Sequence, residues 1–418
     1  MNKMLYILML FLLLVVNVSA HSQIPFDPYA MGQTGISIIT GLTMIEDNEG
    51  DTTPFYRFQL RPELNLPKVG MGLDVAFLYN PDEDIRNEDG EDWDSLGDYL
   101  RAIRYFRYGR RREPLYFVYG ELRNMYVGHG LIMGGYSNYD RRGLRLDVNT
   151  DLFGVEAILN NLAEPDLFGG RIYIRPFQSS ESSLIKRLTF GATYMTDIDP
   201  NPGNDMDPLA AFSLDMSVPI FNPLGLEIYD ELAFLTGHTD EIETGAGNAI
   251  GTGLEIFNTH FKLEYRTFNK YFQPTIFDYT YEFSKPVVID AEGRENKHGI
   301  YSLLTYYLPE KIAIAATYED YDGPSPFGDP KIYGELIETG LIDRMSLQAS
   351  YIKRGIENFD DIFDLDEKSE LIVRMGFEVY PPLEFIITHE FHFREREDEE
   401  GFETIRETSF GLSVNITF

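Results

Sequence analysis

The chain has 418 residues, a net charge of −33 and no cysteine. The missing cysteine excludes a disulfide framework, a thiolate metal site and a lipoprotein anchor, and the charge argues against nucleic acid, whose binding needs clustered Lys and Arg to release counterions. Aromatics are plentiful, with 27 Tyr and 30 Phe but one Trp, Trp93, and beyond the N-terminus no stretch reaches the roughly 18 apolar residues of a spanning helix.

Residues 1–20 read MNKMLYILMLFLLLVVNVSA, with one cation at Lys3, an apolar stretch, then Val18-Ser19-Ala20. That order is a secretory signal peptide cleaved before His21; the alternative, an uncleaved anchor, conflicts with the short apolar run. Residues 21–35 form a short N-terminal segment. Residues 36–418 read as one domain, without a Ser/Gly-rich linker or a change of character.

From about Gly35 the apolar residues recur at every second position, the period of a strand with two different faces. FYRFQLRPELNL places Tyr56, Phe58, Leu60, Leu64 and Leu66 on one face and Arg57, Gln59, Arg61, Glu63 and Asn65 on the other. ELIVRMGFEVY and LEFIITHEFHFRER repeat the arrangement, and SFGLSVNITF ends the chain with Phe410, Leu412, Val414, Ile416 and Phe418 on a single face. Strands of about ten residues suit a tilted crossing of a bilayer better than a soluble sandwich. The stretch YLRAIRYFRYGRRREP is less regular. Arg101, Arg104 and Arg107 recur every third residue, and Ser95 to Asp98 resembles a capping box, whereas Tyr and Phe favour a strand.

The links alternate between short (YPPLE, GLIDR, LPEK, FNTH) and long (EREDEEG, GIENFDDIFDLDEKS, YEDYDGPSPFGDP). Acidic residues gather in the long ones: nine between Asn80 and Asp98, seven between Glu357 and Glu370. Arg110, Arg111 and Arg112 fall in a short one. About twenty strands can be counted, or sixteen to eighteen if doubtful ones are merged. An even number places both termini on the short-turn side. A soluble two-sheet protein or a propeller is the alternative, but no blade-length repeat is present.

These strands, the export signal and the terminal strand ending in Phe418 resemble the porin-like outer-membrane β-barrels of diderm bacteria. The resemblance implies an all-β, transmembrane, antiparallel up-and-down barrel with 36–418 in the bacterial outer membrane, 21–35 in the periplasm, and the last strand closing against the first near Ile36 to Ile45. It also implies that Phe410, Leu412, Val414, Ile416 and Phe418 carry the signal read by the barrel-assembly machinery.

With the apolar faces toward lipid, the lumen is lined by Arg57, Arg61, Glu63, Asp74, Arg171, Arg175, Glu227, Glu231, Lys262, Glu264, Arg266, Arg374, Glu378, Glu384, Glu390 and Arg394. Sixteen charges need either water or one another, so the lumen is water-filled or cross-braced. The third outward link, Asn124 to Gly143, is apolar and Gly-rich. It either folds inward as a constriction built on Gly128, His129, Gly130, Gly134 and Gly135 or extends the flanking strands with Gly kinks. The seven His are scattered, with His389 and His392 on opposite faces, so no joint catalytic site is expected and only His129 merits a test.

Passage of small polar solutes is the expected function, with no cofactor. Alternatives are a non-conducting barrel acting in surface interaction, adhesion or secretion, and an outer-membrane hydrolase. Outer-membrane lipid is an expected partner. The acidic links offer oxygen ligands to loosely bound Ca²⁺ or Mg²⁺, though none has EF-hand spacing. The short 21–35 segment leaves no room for a plug domain, which argues against energised transport.

Overall fold

The computed structural model describes residues 34–46, 52–81, 96–111, 113–138, 141–200, 208–221, 224–237, 244–282, 295–308, 311–322, 330–339, 341–366, 368–395 and 402–417. The expected signal peptide, nearly all of 21–35, the centre of the Asn80–Asp98 link and Phe418 lie outside these residues.

In chain order the strands are β1 (Gly35–Glu46), β2 (Thr52–Asn65), β3 (Val69–Leu73), β4 (Val75–Tyr79), β5 (Ile103–Tyr108), β6 (Leu115–Gly120), β7 (Met125–Val127), β8 (Met133–Tyr136), β9 (Gly143–Asn149), β10 (Phe153–Leu159), β11 (Leu167–Ile174) and β12 (Thr189–Asp197). They continue as β13 (Leu209–Phe221), β14 (Leu226–Thr236), β15 (Gly245–Ile256), β16 (Thr259–Phe268), β17 (Lys297–Leu308), β18 (Ile312–Tyr321), β19 (Lys331–Glu338), β20 (Met345–Lys353), β21 (Ser369–Tyr380), β22 (Leu383–Glu395) and β23 (Phe402–Thr417). All except β7 and β8 belong to one antiparallel sheet. β3 and β4 both pair with β2 and are one strand interrupted at Asp74, so the sheet is a closed barrel of 20 strands.

Closure comes from β1, which pairs with β2 on one side and with β23 on the other. The seam runs from Gly35↔Thr417 to Gly41↔Gly411. It removes the unpaired edge that an open sheet of this size would present to other chains.

Alternation in the sequence becomes inside and outside. On β14, Ile228 and Leu232 are exposed to the surroundings while Tyr229, Glu231 and Ala233 are buried. On β2, Tyr56 and Phe58 face out and Gln59 is buried facing in. Phe410, Leu412 and Ile416 of β23 are likewise exposed, whereas Ser413 is buried. A continuous belt of exposed Phe, Tyr, Leu and Ile would be unfavourable in water and is what a bilayer solvates. No helix among the described residues is long and apolar enough to cross a membrane.

Both ends of the barrel chain lie on the side of the short turns, and every link on the opposite side except the third is net negative in sequence. Two links break the length rule. The first outward one, 47–51, is short, and the turn 175–188 between β11 and β12 is long and contains a 3₁₀ helix at Ile185–Arg187. The irregular Arg-rich stretch resolves into both of its readings, a helix at Leu96–Arg101 followed by β5.

Candidate functional site: the lumen

The third outward link turns into the barrel. Its β7–β8 hairpin lies inside the wall, and Met125, Val127, Leu131, Ile132, Met133 and Tyr136 are all buried. A polar, open lumen could not hold these side chains, but a second inward segment, 269–282, supplies their partners. The Thr275 N–H donates to the Leu131 carbonyl (2.7 Å), the Gly134 N–H to Phe277 O (3.1 Å) and the Phe277 N–H to Ile132 O (3.2 Å). Phe272, Ile276, Phe277 and Tyr281 join the hairpin and wall residues from β5 to β18 in one apolar core. This half of the lumen is solid.

The glycines make the hairpin possible. Gly128, Gly130 and Gly135 have φ of +60°, +91° and +78°, the left-handed region that side chains disfavour. Gly134 has a standard φ, but a Cβ there would come within 3.0 Å of Gly130 O and Thr275 Cγ2. Gly130→Ala is therefore expected to destabilise the protein by about 1–2 kcal/mol, read as a lower urea midpoint in detergent.

Charged wall residues clasp the hairpin. The Gly128 N–H donates to Glu156 (3.2 Å) and the Leu131 N–H to Glu231 (3.3 Å), while Arg145 Nη1 donates to Tyr126 O (2.9 Å) and Lys262 Nζ to the His129 carbonyl. The His129 ring stacks on Tyr229 with centroids 3.9 Å apart, and its Nε2 lies 3.6 Å from Asp215. Ser213, on the same strand as Asp215, donates to Glu231 rather than to His129. The ring packs within a buried charge network.

That network runs round the wall. Arg145 reaches Glu156 (3.3 Å), Arg171 joins Glu156 (3.1 Å) to Asp215 (2.8 Å), and Arg266 joins Glu264 (2.6 Å) to Glu319 (3.7 Å). Lys331 then links Glu319 (2.6 Å) to Asp278 of the second inward segment (3.1 Å). Arg266 also lies over the Tyr301 ring, 3.9 Å from its centroid. Removed from bulk water, these charges persist because each meets an opposite charge or several donors.

Burial alone would raise the Asp278 pKa, but Lys331 and the Thr280 donors outweigh it and hold it below the ordinary carboxylate value. Its folded-state pKa is depressed, so its contribution is present above the unfolded value of about 4 and is lost as pH falls through the folded one. Once the pH dependence of the intrinsic exchange rate is divided out, amide protection in 269–282 is expected to fall on acidification below that range, and Asp278→Asn is expected to show the reduced protection already at neutral pH.

The other flank is different. Inward-facing residues of β1, β2 and β20–β22 are mostly half-buried, and a cavity of about 650 Å³ opens there at the short-turn end. Arg61, Glu63, Arg104, Arg374, Glu378 and Glu384 border it. Arg61 pairs with Asp74 at 2.7 Å and Arg104 with Glu63. Glu384 accepts hydrogen bonds from Ser346 Oγ (2.8 Å) and Asn415 Nδ2 (2.6 Å). Among the described residues, Arg374 has no carboxylate within ion-pair distance. Arg57 and Arg61 are its electrostatic neighbours, with Glu384 and Asp74 beside them.

The sixteen lumenal candidates thus divide. Arg171, Glu227, Glu231, Lys262, Glu264 and Arg266 are buried on the solid side. Arg57, Arg61, Glu63, Asp74, Arg374, Glu378 and Glu384 belong to the half-buried flank. Arg175 lies just past β11 and donates to Thr150 O (2.7 Å). Glu390 and Arg394 sit on β22, but their side chains lie outside the described residues.

Sequence reasoning missed Arg145, Asp147, Glu156, Asp215, Glu319, Lys331 and the whole 269–282 segment. Glu156 in FGVEAIL and Asp215 in FSLDMSV had a visible signal, a single carboxylate at an alternating position of an otherwise apolar strand. The described residues contain no group of three or more His, Asp or Glu arranged to hold a metal ion.

No protein-family model and no curated protein matches the chain. Among solved structures it is similar to OpdO of Pseudomonas aeruginosa, at 9% identity and a TM-score of 0.33, over 92% of this chain and 96% of that one. It is similar to P. aeruginosa OccK2 (OpdF) in complex with glucuronate, at 9% identity and a TM-score of 0.33, over 96% and 100%. A third is Wzi of Escherichia coli, a carbohydrate-binding β-barrel involved in group 1 capsule assembly, at 8% identity and a TM-score of 0.31, over 93% and 85%. The barrel is established by its own ladder, from β1 round to β23 and back: this chain is a closed, 20-stranded antiparallel β-barrel.

Proposed function

We propose that the protein is an outer-membrane channel through which small polar solutes pass without energy input, by a path along the β1–β2 and β19–β23 flank beside the inward hairpin. The observation that carries this reading is the polar cavity of about 650 Å³ on that flank, in contrast to the apolar filling opposite. Charges of both signs along such a path let polar solutes exchange hydration for side-chain contacts and penalise apolar ones. The reading includes export by residues 1–20, assembly directed by the terminal strand, and no enzymatic activity.

Single-channel recording in a planar bilayer tests it. Steady ohmic steps are expected. A silent membrane, with insertion confirmed by heat-modifiable migration, would instead favour the second reading, a non-conducting barrel that acts at the surface. The buried β7–β8 hairpin and 269–282 segment give that reading its support.

A further inference from the structure

The turn 175–188 has a composition unlike the other turns on its side. Phe153, Ile174 and Phe190 are register partners across β10, β11 and β12 and face outward. They form the last lipid-facing row of the wall at the short-turn end. Past that row the apolar surface continues: Phe177 packs edge-on against Phe190, with centroids 6.4 Å apart, and Leu184 and Ile185 are exposed.

The turn is also constructed. Lys186 N–H donates to Ser182 O (3.0 Å), Leu188 N–H to Ile185 O (3.1 Å), and Gln178 Nε2 donates to Asp151 O (2.9 Å) in the neighbouring turn. Cations follow the apolar pair directly, with Lys186 exposed and Arg187 half-buried. In sequence, this turn holds one acidic residue, Glu181, and the neighbouring turn 150–152 holds Asp151.

An apolar edge continuous with the lipid belt and ending in cations is the pattern of a segment seated at the boundary between acyl chains and headgroups. Lys and Arg at that depth meet phosphate oxygens. We infer that the 175–188 turn is a membrane-interface anchor in the leaflet on the short-turn side, with Leu184 and Ile185 in the acyl boundary and Lys186 and Arg187 on the headgroups of anionic phospholipids.

The full chain carrying Trp93→Phe and Leu184→Trp, refolded into phosphatidylcholine vesicles with or without phosphatidylglycerol, tests this. Trp93→Phe with Ile172→Trp, at a fully lipid-facing strand position, verifies insertion. The Leu184→Trp reporter is expected to emit to the blue and to be quenched by lipids brominated high on the acyl chains, more strongly with phosphatidylglycerol. Adding Lys186→Glu and Arg187→Glu is expected to abolish the phosphatidylglycerol dependence. A red, unquenched reporter alongside a quenched Ile172→Trp control would overturn the anchor, leaving the turn to a soluble partner. Quenching indifferent to phosphatidylglycerol and to the charge reversals would overturn the headgroup assignment.

Discussion

Arg171→Met is expected to destabilise the folded barrel by about 3–5 kcal/mol, the effect of removing one partner from a buried charge cluster. Arg171 bridges Glu156 and Asp215, and none of the three side chains is more than 7% exposed. Without the guanidinium, two buried carboxylates lose the cation they share, leaving Arg145 beside Glu156 and the His129 ring beside Asp215, and Glu156 also loses a neighbour that helps orient it toward the Gly128 N–H. The check is a urea titration in detergent, read by intrinsic fluorescence and by heat-modifiable migration. Combining Arg171→Met with Glu156→Gln and Asp215→Asn should recover much of the loss, because the uncompensated charges go with it. A single variant as stable as the parent would show that the ladder does not hold the hairpin.

The second large effect concerns selectivity. Arg374→Glu replaces a cavity cation that has no carboxylate within ion-pair distance among the described residues with an anion in the electrostatic field of Glu384 and Asp74, in a confined region where one charge dominates the local potential. The reversal potential under a salt gradient is expected to move toward that of a cation-selective pore, by about tens of millivolts in the range where a tenfold permeability change is worth roughly 1.4 kcal/mol. Arg171→Lys, on the solid side, is expected to leave it unmoved. Equal shifts for both variants would place the conducting path elsewhere in the lumen.

The wall was legible in the sequence because a barrel strand must satisfy two solvents at once, and two solvents impose a period of two. Tyr56 to Leu66 on one face and Arg57 to Glu63 on the other needed no tertiary information. The seam of the terminal strand against the first, near Ile36–Ile45, came instead from the resemblance to porin-like barrels, and the observed β1–β23 pairing runs over Gly35–Gly41. The even strand count and the sided charge of the links followed from chain order.

The interior was less legible. FGVEAIL and FSLDMSV read as ordinary strands, and nothing local says that Glu156 and Asp215 share one guanidinium from a third strand. YFQPTIFDYTYEF, within the long link after β16, is apolar enough to need burial, but the hairpin it packs on lies over a hundred residues earlier. Such contacts are fixed by closure of the wall, which brings distant links into one volume.

The half-filled lumen also gives the barrel a mechanical character. A hollow cylinder can flatten in any direction, whereas one braced from β5 to β18 by an internal packed core resists ovalisation along that arc, since close-packed interiors have low compressibility. Compliance is then concentrated in the remaining arc, which contains both the seam and the cavity. In the channel proposed above, a solute moving through that arc would meet one stiff wall and one that can yield, so the largest molecule admitted would be set by the elasticity of a few strands.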